Sequence, residues 1–131
     1  MHARPDAWMH KAQQNLALAQ LARDNDFQAG ACFHASQATE KALKSALLEL
    51  GLEPPFTYVL NTLVSLLREA GINTQDLEKL TLRQLSRMAV QSHYPMDATP
   101  ASELFDQEDA DQALTTAKQV LSIIQALDQQ A

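Results

Sequence analysis

The stretch "ACFHASQATEKALKSALL", residues 31–48, decides the fold. It is so rich in Ala and Leu, both strong helix formers, that it predicts one helix with most of its circumference buried. At about 100° per residue, Ala31, Ala35, Ala38, Ala42 and Ala46 share one narrow sector, where short side chains let a neighbouring helix approach closely. Cys32, Leu43, Leu47 and Leu50 form an adjoining apolar sector. Opposite the alanines lie His34, Gln37, Glu40, Lys41 and Lys44, with Phe33 and Leu48 among them. Two readings of that polar side stay open. In one it is a solvated face, with Gln37/Lys41 and Glu40/Lys44 as i, i+4 pairs, the second in the favoured Glu-then-Lys order and worth about 0.3–0.5 kcal/mol. In the other it is a partly buried polar pocket, because Phe33 and Leu48 on the same side need cover. Two lysines and a glutamine in such a pocket would hold a phosphate or a base edge.

Outward from this helix, which runs from about Phe27 to Leu50 with Gly51 as its C′ residue, the helical pattern repeats. A first helix starts near Arg4-Pro5-Asp6 and presents Trp8, Ala12, Leu16, Ala19 and Arg23 on one face, until "RDNDF" breaks it. "LEPPF" is a linker, since its prolines oppose a helix. Thr57 is positioned to cap a third helix carrying Leu60, Leu63, Val64 and Leu67, and Gly71 ends it. Thr74 opens a fourth, with Leu77, Leu80, Leu85 and Met88 inward, which stops near Ser92 ahead of Pro95. "MDATPASELF" reads as a loop. A fifth helix begins near Asp106, with Asp109 three residues on in a near capping box, followed by the stripe Ala110, Ala113, Leu114, Ala117, Leu121 and Ile124. No strand-like alternation and no internal repeat occur. The expected architecture is an all-α, five-helix antiparallel bundle in one domain spanning 1–131, with its core at about 6–128.

The bulk numbers agree. A chain of 131 residues is long enough to bury a real core, and with only three glycines it favours helix. The net charge of −6 opposes a surface that grips long nucleic acid by charge alone, although a local basic pocket is compatible with it. A single cysteine, Cys32, excludes an internal disulfide and a cysteine-based zinc site. No His-x3-His or Glu-x-x-His pair points to a metal, and no Gly-rich loop cradles phosphate, so no metal or cofactor is expected. His2 and His10 read as surface residues, and His34 as bordering the core. Trp8 reads as a helix-packing anchor rather than a base-stacking platform. No signal-like or membrane-length apolar run is found, which leaves a soluble cytoplasmic protein with no membrane partner as the expectation. The second and fifth helices, at roughly 33–36 Å, outreach a third of about 20 Å. A homodimer would cover the apolar remainder.

The order "W…A…L…A", then "F..G.CFHASQATEKALKSALLELG", then "T.VL..L…L", and finally "HYP" before an Ala-rich last helix, resembles the HEPN family from Trp8 to about Leu127. The most specific part is Gln37-Ala38-x-Glu40-Lys41-x-x-Lys44 followed by Leu47-Leu48 and Gly51. The resemblance implies a five-helix bundle, usually dimeric, often paired with a minimal nucleotidyltransferase. It also implies a toxin–antitoxin or defence setting. Some relatives are metal-independent RNases with an Arg-x4-6-His motif, and others lack the motif and bind nucleotides or RNA. Two departures stand out. The branch with this second helix commonly opens its third with Thr-His-x-Leu, where this chain has Thr57-Tyr58-Val59-Leu60. The same branch usually reads Arg-Tyr-Pro where this chain has His93-Tyr94-Pro95, replacing a permanent guanidinium with an imidazole that is mostly neutral at pH 7.

That replacement leaves Arg87 and His93 in "RMAVQSH", with five residues between them and within the RNase spacing. In such a pair the histidine would move a proton at the ribose 2′-OH while the arginine stabilises the phosphorane charge. On a continuous helix, however, positions six apart face directions about 120° apart. The leading expectation is therefore a nucleotide- or RNA-binding protein with a nucleotidyltransferase-type partner. Its site is assigned to Gln37, Lys41 and Lys44, with His93 and Tyr94 at the end of the fourth helix. A metal-independent endoribonuclease using Arg87 and His93 is the first alternative. A non-catalytic helical interaction protein, its polar stripe simply solvated, is the second.

Overall fold

The computed structural model describes residues 3–92 and 104–130. Among these lie six helices and no strand: α1 (Ala3–Asp24), α2 (Gln28–Glu49), α3 (Leu60–Glu69), α4 (Gln75–Glu78), α5 (Leu82–Gln91) and α6 (Gln107–Gln130). The all-α bundle expected from the sequence is what forms, with one helix more than the five expected.

The extra helix comes from a break in the segment read as a single fourth helix. Leu77 and Leu82 are both fully buried. On one continuous helix, residues five apart point about 140° from each other, so both cannot enter the same core. The interruption at Lys79–Thr81 resets the phase, and α5 then buries Leu82, Leu85 and Met88.

Three long helices carry the molecule. α1 and α2 are joined by a tight turn in which Asp26 takes a left-handed φ of 65°. They run antiparallel: Ser45 Oγ, late in α2, donates to the Pro5 carbonyl at 2.8 Å, whereas Asn15, further along α1, meets Lys41. α6 is also antiparallel to α1, because Arg23 bonds Asp111 near the start of α6 while Gln20, earlier in α1, accepts from Lys118 later in α6. Hence α2 and α6 are parallel. The short helices α3, α4 and α5 lie between α2 and α6 in chain order, and α3 and α5 pack against α2.

Local signals mark the helix ends. Gly51 follows α2 with φ 77° and Gly71 follows α3 with φ 96°, conformations that a side chain would oppose. Thr57 does not cap α3; its Oγ1 accepts from the Val59 N–H, and α3 starts one residue later. At α6 the capping box is complete: the Asp106 N–H donates to Asp109 Oδ2 at 3.0 Å, and the Asp109 N–H to Asp106 Oδ1 at 2.9 Å.

α2 lies at the centre. Every one of its residues is buried or half-buried. Ala31, Ala35, Ala38 and Ala42 are fully enclosed, and α1, α3, α5 and α6 all pack on it. Two of its buried hydroxyls are satisfied within the helix, Thr39 Oγ1 donating to the Ala35 carbonyl and Ser36 Oγ to that of Phe33. The long neighbours α1 and α6 match α2 in length, so its apolar face is covered within a single chain. Exposed apolar side chains gather elsewhere, at Leu18, Leu21 and Phe27 and on the α2–α3 linker at Leu52, Phe56 and Tyr58.

Candidate functional site: a polar seam between two helices

The polar side of α2 is covered by α1. Trp8, Lys11 and Asn15 recur at helical spacing along α1 and form its edge of the seam. His34, Gln37, Lys41 and Lys44 form the other edge on α2.

At the centre is Asn15, only 9% exposed. Lys41 Nζ donates to Asn15 Oδ1 at 2.6 Å, and Asn15 Nδ2 lies 3.2 Å from His34 Nδ1. An ammonium group only donates, so the amide oxygen must face Lys41 and the NH2 must face the imidazole. His34 Nδ1 is therefore an acceptor, and the neutral ring carries its proton on Nε2. The Phe33 ring packs edge-on against that imidazole, with centroids 5.3 Å apart. Burial, with the charge on Lys41 second, holds His34 below the ordinary histidine value of 6.5. Burial, then the charge on Lys11, lowers the pKa of Lys41, with Glu40 pulling the other way.

Lys44 differs from Lys41. Its Nζ bonds Glu40 Oε2 at 3.1 Å and lies 5.9 Å from the Trp8 ring centroid, and it is nearly fully buried. Its charge is thus offset by a carboxylate and faces an aromatic ring. Among the described residues, Lys41 has only the neutral amide oxygen of Asn15 as a bonded partner. Positive charge is in excess at Lys41 and Lys11, within a chain whose formal net charge is −6.

The seam thus brings together Gln37, Lys41 and Lys44, with Gln37 half-buried one turn before Lys41. Arg87 is exposed on α5, which packs against α2 and α3. His93 and Tyr94 lie outside the described residues. Trp8 is half-buried against Lys44, as a packing anchor. Asn15 and Lys11 went unread in the sequence, although Trp8, Lys11 and Asn15 at i, i+3, i+7 are a legible stripe. Cys32 is fully buried, and burial, with Asp109 and Asp106 adding, pushes its thiol up to about 12, so it is not a nucleophile in the folded chain. Among the described residues no cluster of three or more His, Cys, Asp or Glu side chains is arranged to hold a metal ion. Nor, among them, is any helix long and apolar enough to cross a membrane.

The Asn15 bridge makes a titration prediction. In NMR of histidine side chains, His34 should protonate below the ordinary value of 6.5, and Lys41→Met should raise that pKa by removing a neighbouring cation and freeing the Asn15 amide to turn. A folded-state pKa below the unfolded one means that the unfolded chain binds the proton more readily. The contribution of His34 to stability is therefore intact above pH 6.5 and is lost as the pH falls through the folded value. A His34 that titrates normally and ignores Lys41→Met would contradict the bridge.

Comparison with known proteins converges on one family. The model of the HEPN domain matches residues 5–127. The crystal structure of TT1696 from Thermus thermophilus superposes with a TM-score of 0.85 at 29% identity, over 96% of this chain and 98% of that one. The crystal structure of ST0689, described as an archaeal HEPN homologue, gives a TM-score of 0.77 at 23% identity, over 95% of this chain and 97% of that one, a likeness of fold. Comparison with curated protein sequences returns no match. With the family pattern spanning α1 to α6 and the same bundle in both solved structures, the chain belongs to the HEPN domain family.

Proposed function

We propose that this protein binds a phosphate-bearing ligand, a nucleotide or RNA, at the α1–α2 seam, and that it works in the cytoplasm with a nucleotidyltransferase-type partner in a toxin–antitoxin or defence setting. The observation that carries the binding reading is Lys41, a half-buried ammonium bonded to a neutral amide and close enough to Lys11 to be destabilised by it. An incoming phosphate would relieve that repulsion and accept from the remaining Lys41 N–H groups. The neutral His34, with its proton on Nε2, supplies a further donor, and Gln37 adds an amide for a base edge or ribose. Lys44, held by Glu40 and Trp8, shapes the edge of the site. Tyr94 is assigned to stack on a base. The nucleotidyltransferase-type partner and the toxin–antitoxin setting rest on the family resemblance. The protein is further proposed to be a homodimer, for which the exposed Leu18, Leu21 and Phe27 are available apolar surface.

The test is binding of a 5′-labelled RNA and of ATP to the wild-type chain and to Lys41→Met. Loss in the variant supports the seam. Equal binding moves the site elsewhere, and no binding by either protein leaves the reading of a helical interaction protein with no such ligand. Protection of His34 is a second readout, since a bound anion should raise its pKa.

A second reading, a metal-independent endoribonuclease, is favoured by one observation. Arg87 is exposed and has no ion pair or hydrogen bond among the described residues, so its guanidinium is available to a phosphate. Cleavage of RNA in EDTA, lost in His93→Ala and in Arg87→Ala, is the expected result of that reading; RNA left intact by the wild type removes it.

A further inference from the structure

We infer a second binding site in this protein, for a small molecule with an apolar body and a cationic end, such as a single-ring arylalkylamine. It is a partly open cavity of about 140 Å³ near the end of α2, bordered by the first turns of α1, the end of α3 and the end of α6. Its walls are aliphatic: Pro5 and Met9 from α1, Leu50 after α2, Leu67 and Ile72 at and beyond the end of α3, and Ile124 from α6. Ser45 and Gln125 also line it; the Ser45 hydroxyl is committed to the Pro5 carbonyl, which leaves the half-buried Gln125 amide as a neutral polar group on the wall. The interior therefore offers a ligand dispersion contacts and little hydrogen bonding. Aliphatic cavities of this size accept one aromatic ring.

Among the described residues, the charged groups on its lining are two carboxylates. Asp6 is exposed and has no ion pair or hydrogen bond among the described residues. Glu49 is half-buried on the neighbouring helix. An anionic ligand would be repelled by Asp6, whereas an ammonium group would find that carboxylate within reach once the ring is seated. This is the reverse of the seam chemistry. Met9 lies about 100° round α1 from Trp8, so α1 offers the cavity and the seam different faces. The two sites are independent, and failure of one says nothing of the other.

The test uses benzylamine, benzyl alcohol and benzoate, with binding read from methyl NMR shifts of Leu50, Leu67, Ile72 and Ile124 in the full chain. Benzylamine should shift these methyls saturably, benzyl alcohol roughly two- to fivefold more weakly for want of the ion pair, and benzoate not at all. Asp6→Asn, at an exposed position that leaves packing intact, should bring benzylamine down to the level of benzyl alcohol. Ala46, on α2, also lines the cavity, and Ala46→Leu should fill the space and remove the response to both. Should that variant fail to fold, Asp6→Asn still decides the charge assignment and the wild-type titration still decides the cavity. Unsaturable shifts, shifts that survive a folded Ala46→Leu, or benzoate binding as well as benzylamine would each overturn the inference.

Discussion

Lys41→Met is expected to weaken binding of RNA or ATP by about ten- to a hundredfold, because a hydrogen bond to a charged group is worth roughly 1.5–3 kcal/mol and each 1.4 kcal/mol is a factor of ten. The methylene stem is retained, so the packing beside Asn15 changes little. The fold should survive, since Lys41 is only half-buried and, among the described residues, has a single bonded partner, Asn15 Oδ1. Lys44→Met is the informative control. It leaves Glu40, whose side chain is only 16% exposed, without its partner and removes the cation facing Trp8. Its principal cost should be stability, about 1–3 kcal/mol, with a smaller loss of ligand affinity. Fluorescence anisotropy of labelled RNA together with urea unfolding separates the two effects. If Lys44→Met abolished binding while Lys41→Met did not, the roles assigned to the two lysines would have to be exchanged.

Leu43→Ala should lower the unfolding free energy by about 2–5 kcal/mol. Leu43 is fully buried on α2, the helix on which α1, α3, α5 and α6 all pack. Removing three carbons there forfeits their transfer free energy and leaves a cavity that close-packed neighbours on several sides cannot readily fill. Against a total of about 5–15 kcal/mol, the loss brings the domain near the edge of stability. Leu21→Ala, at a leucine 60% exposed on α1, should change stability by less than about 0.5 kcal/mol in the monomer. If the protein is a dimer through that face, Leu21→Ala should instead lower the association constant in analytical ultracentrifugation. Urea midpoints for the two variants check the first pair of values. A Leu43→Ala cost below about 1 kcal/mol would mean that α2 is not the central helix.

Much of this molecule is legible in one dimension because its signals are local. The limits of α2 follow from an Ala- and Leu-rich run closed by Gly51, where the chain turns left-handed. The start of α6 follows from Asp106 and Asp109, whose carboxylates each reach the other's backbone N–H within a single turn. Periodicity likewise picks out Leu60, Leu63, Val64 and Leu67, and all four are buried. The polar side of α2 is equally visible, but its meaning is not. A run of His34, Gln37, Lys41 and Lys44 reads the same whether it faces water or another helix.

What the amino-acid sequence by itself determined, then, is where helices lie, which faces are apolar, and membership of the pattern carried by Gln37, Glu40, Lys41 and Lys44. Those properties depend on side chains a few residues apart. The tertiary structure alone decided three further things. It split the fourth helix, because burying both Leu77 and Leu82 demands a change of helical phase imposed by neighbouring elements. It made α2 and α6 parallel, because both pack antiparallel on α1. And it closed α1 over the polar stripe, so that Asn15 meets His34 and Lys41 from 19 and 26 residues away. An isolated asparagine in an Ala-rich helix has no local reason to be buried; it is buried because only the folded chain supplies both its donor and its acceptor.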